Sequence, residues 1–410
     1  MHTDLSVDTS HSFMELESTY GAHNYHSLPV VLNRGEGIYL WDVNGKRYFD
    51  FLSGYSAVNQ GHCHPKIISA LITQASKLTL TSRAFYNDKL GEYEKFITGY
   101  FGYDKVLPMN TGVEAVETAI KLCRKWGYQI KNIPANKAKI IVCANNFHGR
   151  TTSVISFSTD SSARKDFGPF IEGFEVIPFN DLNALAEALK NKNVAGFLVE
   201  PIQGEAGIIV PDEGYLSRAK QYCLDANVLF IADEIQTGLC RTGKMLCCDH
   251  ENVRPDILIL GKALSGGTLP VSAVLADDEI MMVIKPGEHG STYGGNSLAC
   301  AVAMESLKVL KQENMAENAI KMGDIFRKEL KKLTSDKIID IRGIGLLNAI
   351  ELKDTSPNSG WDFCIRLMKH GLLAKPTHGN KIRFAPPLII NKEQIMECVK
   401  IISDVLHESL

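Results

Sequence analysis

A chain of 410 residues that is 45% hydrophobic and 22% charged has enough apolar material for one large or two to three ordinary cores, which excludes disorder, collagen and a disulfide scaffold. Its 44 Lys+Arg against 47 Asp+Glu give a net charge of −3, so no global field draws it to nucleic acid or an anionic membrane, although a few local arginines suffice for small anionic substrates. Ten cysteines without a CxxC pair, no apolar run near the ~18 residues of a membrane span, and an amino terminus without an apolar core or an arginine predict reduced thiols and a cytosol-like, cytoplasmic location.

Ile38–Val43, Asn44–Gly45 and Lys46–Phe51 form the first organised piece. Two β-prone runs joined by Asn-Gly predict a hairpin with a type I′ turn. From about residue 104, short apolar runs alternate with helical stretches. Ile140–Cys143, Gly196–Val199, Val228–Ala232 and Ile257–Leu260 suit strands buried on both faces of a parallel sheet. Asp181–Lys190, between two of them, reads as a helix opened by a capping Asp. The alternation predicts an α/β domain with a mainly parallel central sheet. Further on, Ser297–Leu333 reads as helical, and Ile338–Glu351 and Lys381–Ile390 read as strands. Ile395, Val399, Ile402 and Leu406 share one face of a last helix, capped by Asn391 with Gln394. Strands and helices do not alternate strictly here, which predicts a smaller α+β domain that the N-terminal hairpin joins. The predicted division is an N-terminal segment 1–55, a large domain 56–314 and a small domain 315–410.

Three local features bear on chemistry. Asn110-Thr111-Gly112-Val113-Glu114-Ala115 places a glycine where a loop enters a helix running to Trp126. Such a junction can present backbone N–H groups to a phosphate, and it equally suits an ordinary helix start capped by Thr111. In Val228–Gly238 an apolar strand ends in Asp233 and Glu234, at the edge where open α/β sheets bind ligands. In Asp256–Gly267 another apolar strand ends in Lys262, followed by a Gly-rich loop. A lysine partly desolvated there has a lowered pKa and a nucleophilic amine. His62-Cys63-His64, before Pro65, lacks a matching ligand pair elsewhere, so no metal site is expected. A phosphate cup, a strand-end acid and a strand-end lysine on one sheet are together the parts needed for pyridoxal 5′-phosphate. The cup holds the phosphate, the acid keeps the pyridine nitrogen protonated, and the lysine carries the aldehyde.

From Tyr20-Gly-Ala-His-Asn-Tyr25 almost to the C-terminus the chain resembles the class III, fold-type I aminotransferases, and within them the branch acting on ornithine. The resemblance is carried by Ser56–Pro65, Val199–Gly207, Ala232–Gly238, Leu260–Gly267 and Gly287–Asn296. It implies the fold-type I architecture, a large domain plus a smaller one built from both chain ends, and a homodimer with shared active sites. It also implies PLP-dependent transfer of the δ-amino group of L-ornithine to 2-oxoglutarate, the alternative being a class III enzyme of N-acetylornithine or 4-aminobutyrate. By the same resemblance Lys262 would bind the cofactor and shuttle the proton, Asp233 would pair with the pyridine nitrogen, and Gln236 would reach the phenolic oxygen. Phe147 would stack on the ring. Gly112 and Val113 would give N–H groups to the phosphate, and Ser291 and Thr292 would reach it from the partner subunit. Tyr25 and Arg150 would hold the α-carboxylate of ornithine, with Tyr55 lining the pocket. Glu205 would pair with Arg383 and release it for 2-oxoglutarate. The sequence departs from the family at Leu269, where an aromatic usually precedes the proline, and at Cys240, where Gly or Ala is usual. His148 follows the wider class where some ornithine enzymes carry Trp.

Overall fold

The computed structural model describes residues 9–333 and 336–408. The remainder of the segment 1–55 and of the span 315–410, residues 1–8, 334–335 and 409–410, lies outside that description.

A helix, Thr9–Tyr20, opens the fold and is followed by three short strands, β1 (Leu32–Glu36), β2 (Tyr39–Asp42) and β3 (Arg47–Asp50). β2 and β3 form the expected antiparallel hairpin, with Tyr39 opposite Phe49 and Trp41 opposite Arg47. Its turn is not type I′. That turn needs positive φ at both central residues, whereas only Gly45, at 83°, has it. The side chain of Asp42 decides the shape: its Oδ1 accepts the N–H groups of Asn44 at 3.0 Å and of Lys46 at 2.8 Å.

The large sheet comprises β4 (Lys105–Met109), β5 (Lys139–Cys143), β6 (Phe174–Ile177), β7 (Val194–Val199), β8 (Leu229–Asp233), β9 (Ile257–Leu260) and β10 (Ser272–Ala276), in the order β4-β10-β9-β8-β7-β5-β6. β6, β5, β7, β8 and β9 run parallel, and β10 is antiparallel to both its neighbours. β7 to β10 are buried along their whole length. This is why they read as continuous apolar runs, and each Val, Leu or Ile there contributes about 1.5–3 kcal/mol over an exposed one. Because the strands are parallel, the residues that follow β4, β5, β7, β8 and β9 all emerge along one edge of the sheet.

The chain ends meet in smaller sheets. β11 (Ile338–Ile344) and β12 (Leu347–Leu352) pair antiparallel, so the single expected strand Ile338–Glu351 is a hairpin, reversed at Gly345 with φ 56°. β13 (Leu372–Leu373) pairs in parallel with β3 and so ties the N-terminal hairpin to the C-terminal part. β14 (Lys375–Thr377) and β15 (Lys381–Phe384) complete the sheet β11-β12-β15-β14. The expected strand Lys381–Ile390 stops at Phe384, just before Pro386 and Pro387, which have no N–H to donate to a ladder. The expected helical run Ser297–Leu333 is two helices, Ser297–Gln312 and Met315–Leu330, parted at Asn314 with φ 50°. Asn tolerates that left-handed conformation better than most residues. The last helix, Lys392–His407, buries Ile395, Val399, Ile402 and Leu406 and has the expected Asn391–Gln394 capping box. Phe51, Phe326 and Phe384 meet edge-on, with centroids 5.6–5.9 Å apart, so both ends of the chain share one core.

Among the described residues no helix is long and apolar enough to cross a membrane, and no group of three His, Cys, Asp or Glu could hold a metal ion. His62 instead bonds Asp50 at 2.7 Å and His64 bonds Glu313 at 3.2 Å.

Candidate active site

The carboxyl edge of the large sheet surrounds a cavity of about 200 Å³. After β4 comes the helix Gly112–Gln129, whose cap Thr111 forms a reciprocal capping box with Glu114. The N–H groups of Gly112 and Val113 fall in the first turn, where no intrahelical carbonyl reaches them. They line the cavity at the positive end of the helix dipole. Glycine is required beside them: at Gly149 (φ 126°) a Cβ would fall 2.3 Å from Val113 Cγ2.

β8 ends on Asp233, which is 4% exposed. Its Oδ1 accepts the N–H of Ile235 at 3.1 Å, and its Oδ2 accepts a bond from His148 Nδ1 at 2.6 Å. β9 leads through Gly261 to Lys262, which adopts φ 44°. A non-glycine residue in that region costs about 1–3 kcal/mol and persists only where its surroundings hold it. Here the carbonyl of the next residue, Ala263, accepts from Gln60 Nε2 and from Ser306 Oγ, each at 3.0 Å. Burial pulls the Lys262 ammonium below its usual pKa, against the opposing charges of Glu205 and Asp233. The lowered pKa makes the neutral, nucleophilic form of the amine more accessible than in a solvated lysine.

Glu205, which lines the cavity, forms an ion pair with Arg383. β15 supplies Arg383, which is 4% exposed and lies 5.1 Å over the ring of Tyr55. Gln236 Nε2 adds a bond to the same Glu205 oxygen at 3.3 Å. Gln236 itself is pressed against Gly204, where any Cβ would collide with its amide. Burial would raise the Glu205 carboxyl, but the charges of Arg383 and Lys262 outweigh it and hold the group low.

The structure thus brings Gly112, Val113, Phe147, Glu205, Asp233, Gln236 and Lys262 onto one cavity. Arg150 lines an adjoining cavity of about 380 Å³ that shares Phe147 and Glu205, with its guanidinium 5.5 Å over the Phe147 ring. Tyr25 is 71% exposed and lines a separate groove among N-terminal residues, with the Lys375 ammonium 5.8 Å over its ring. Ser291 and Thr292 do not line the cavity of their own chain. Ser291 Oγ accepts instead from Asn110 Nδ2 at 2.8 Å, and Thr292 is exposed.

Five cavity residues were absent from the sequence-based set, Gly149, Ile235 and Thr237 and the two titratable groups Glu200 and His148. Glu200 directly follows β7 and accepts the Phe147 N–H at 3.0 Å. Burial raises its carboxyl to about 7, against the lowering charge of His148. It carries the same strand-end signal that singled out Asp233. His148 had a local signal too, between Phe147 and Gly149.

A half-buried amine of depressed pKa, a buried carboxylate opposite it and bare N–H groups at a helix start can bind an anionic group and hold a carbonyl compound covalently. The partly buried Glu–Arg pair adds a guanidinium that a substrate carboxylate could recruit. Comparison with known proteins agrees with this chemistry. A profile of the class-III aminotransferases matches residues 20–406. The mitochondrial ornithine aminotransferase of Rattus norvegicus is 62% identical, with 98% of this chain and 92% of that protein covered. A solved structure of the Toxoplasma gondii ornithine aminotransferase, described with partial occupancy of PLP at its active site, superposes with a TM-score of 0.96 at 50% identity, over 98% of this chain and 95% of that one. A solved acetylornithine aminotransferase of Elizabethkingia anophelis superposes with a TM-score of 0.89 at 59% identity, over 97% and 98%.

Proposed function

The chain belongs to the class-III aminotransferases, and on that premise we infer that it is a PLP-dependent ornithine aminotransferase. It transfers the δ-amino group of L-ornithine to 2-oxoglutarate, giving L-glutamate and glutamate 5-semialdehyde, which cyclises to 1-pyrroline-5-carboxylate and so joins arginine to proline metabolism. The observation that carries the reading is the ion pair that joins Arg383 to Glu205, a residue lining the Lys262 cavity.

The residues present fit pyridoxal phosphate. The bare helix start suits its phosphate, the half-buried Lys262 amine its aldehyde, and the buried Asp233 carboxylate its ring nitrogen. Gly112 is held close to Ile235, where a Cβ would come within 3.1 Å of Cδ1, so a side chain there would crowd the cradle. Once bound, the cofactor supplies an electrophilic carbon and an electron-withdrawing ring. In this reading Lys262 Nζ holds the cofactor and then moves the proton at the substrate carbon. Asp233 stabilises positive charge at the ring nitrogen, Gln236 reaches the phenolic oxygen, and Phe147 covers one ring face. Gly112 and Val113 donate N–H groups to the phosphate.

Arg150 and Tyr25 hold the α-carboxylate of ornithine beside Tyr55, which directs the δ-amine inward. Glu205 neutralises Arg383 in that half-reaction. When 2-oxoglutarate enters, Arg383 binds its α-carboxylate and Arg150 the distal one. The planar guanidinium fork suits both tasks. We further propose a homodimer in which Ser291 and Thr292 of the partner subunit complete the phosphate site; their position outside their own chain's cavity supports it. All ten cysteines are free and nine are buried, which supports a reducing compartment such as the cytoplasm.

Single-turnover absorbance traces, which follow each half-reaction separately, test the switch. Glu205→Ala frees Arg383 for the α-carboxylate of ornithine itself, so δ-selectivity falls and α-amino acids such as glutamate react better. Arg383→Ala impairs the 2-oxoglutarate half more than the ornithine half, by about tenfold or more for a lost charged contact. Equal damage to both halves, with unchanged regiochemistry in Glu205→Ala, contradicts the switch. The 59% identity to the Elizabethkingia protein named for acetylornithine favours a second substrate reading. Turnover of ornithine against N-acetylornithine, 4-aminobutyrate and lysine separates the two.

A further inference from the structure

β7 and β8 pair in parallel with Val199 opposite Ala232, so the strand-end acids Glu200 and Asp233 emerge side by side. The pair Phe147–His148, arriving from β5, is fastened to both. The Phe147 N–H donates to Glu200 Oε2 at 3.0 Å, and His148 Nδ1 meets Asp233 Oδ2 at 2.6 Å. An ionised carboxylate only accepts, so Nδ1 carries the proton of that bond. The His148 side chain is 1% exposed and that of Asp233 is 5% exposed. Nε2 of His148 is buried without a partner, so Asp233 is the imidazole's one polar anchor. A ring that filled space alone would not need a nitrogen here. An apolar side chain of similar size would leave no buried Nε2 unsatisfied, which is the cheaper arrangement.

From the carboxylate's side, Oδ1 has only the Ile235 N–H, at 3.1 Å. One backbone donor leaves the carboxylate free to turn about its last torsion, which is broad for an sp² group. A second, shorter bond to the other oxygen stops that rotation. We propose that His148 is a positioning residue for Asp233: its Nδ1–H fixes the carboxylate so that it keeps one orientation toward the Lys262 cavity. The proposal rests on the reading of Asp233 as the partner of the cofactor's ring nitrogen. Burial opposes the charged imidazole, but the hydrogen bond and charge of Asp233 outweigh it and raise the His148 pKa.

The test compares holoenzymes of the wild type, His148→Leu, His148→Asn and Asp233→Asn. Loss of visible absorbance on dilution gives the rate of pyridoxal phosphate release, and steady-state kinetics give kcat and the KM for ornithine. His148→Leu should release cofactor about tenfold faster and lower kcat about tenfold, the scale of one bond to a charged group, with KM within about twofold. His148→Asn places an amide N–H where Nδ1–H stood and should recover at least half of each loss on a logarithmic scale. Release and kcat at wild-type values in His148→Leu would overturn the proposal, as would an Asn variant no better than Leu. If Asp233→Asn is impaired while His148→Leu is normal, only the role of His148 fails. If Asp233→Asn retains cofactor and turnover, the reading of Asp233 itself fails.

Discussion

Lys262→Ala should lose about 10²–10⁴-fold or more in turnover, the span that one positioned proton-transfer group contributes. The loss follows from the geometry more than from the residue type. The residue is half-buried, its amine's pKa is pulled down by that burial, and it projects from a backbone at φ 44° that Gln60 and Ser306 hold in place. No other lysine lines the cavity among the described residues. Borohydride should fix the cofactor permanently to the peptide containing Lys262 in the wild type and to no peptide in the variant. Fixation at another residue of Lys262→Ala, with turnover retained, would remove Lys262 from its role.

Asp233→Ala should lower turnover about 10²–10³-fold, the effect of deleting one preorganised charge partner in a dry site. Cofactor retention should weaken with it. The same change strips His148 of its only polar partner. Removing one member of a buried pair typically costs about 3–5 kcal/mol, so a fall in thermal midpoint should accompany the kinetic loss. Asp233→Asn separates the two effects. It keeps an acceptor and the side-chain volume, so stability should largely return while turnover stays low. Near-normal turnover in either variant would take Asp233 out of the mechanism.

The parts of the molecule legible in the sequence are those whose signal is local. β5, β7, β8 and β9 announced themselves because both faces are buried, and Asp233 and Lys262 because each follows such a run directly. Glu200 obeys the same rule after β7, but its partner is the backbone of Phe147, 53 residues earlier, and nothing local marks that contact. The Asp233–His148 bond spans 85 residues and the Arg383–Glu205 pair 178, so neither leaves a pattern in spacing. The second pair was expected from family resemblance alone. The misread turn at Asn44–Gly45 has a different cause. The dipeptide favours type I′, yet a side chain two positions earlier, Asp42, bonds both sides of the loop and selects another shape. Asn314 broke a periodic helix through a single left-handed residue, which periodicity does not register. Tyr25, Ser291 and Thr292 lie on surfaces of the single chain, where the sequence offers no indication of what covers them.

The central claim is that the terminal nitrogen of ornithine is the one transferred. Ornithine carrying ¹⁵N only at its δ-amine, incubated with the holoenzyme and unlabelled 2-oxoglutarate, tests it directly by mass spectrometry of the glutamate formed. The account predicts glutamate labelled in proportion to turnover and a pyrroline product that retains the unlabelled α-amino nitrogen. Unlabelled glutamate, formed at the same rate, would show transfer from the α-position and contradict it.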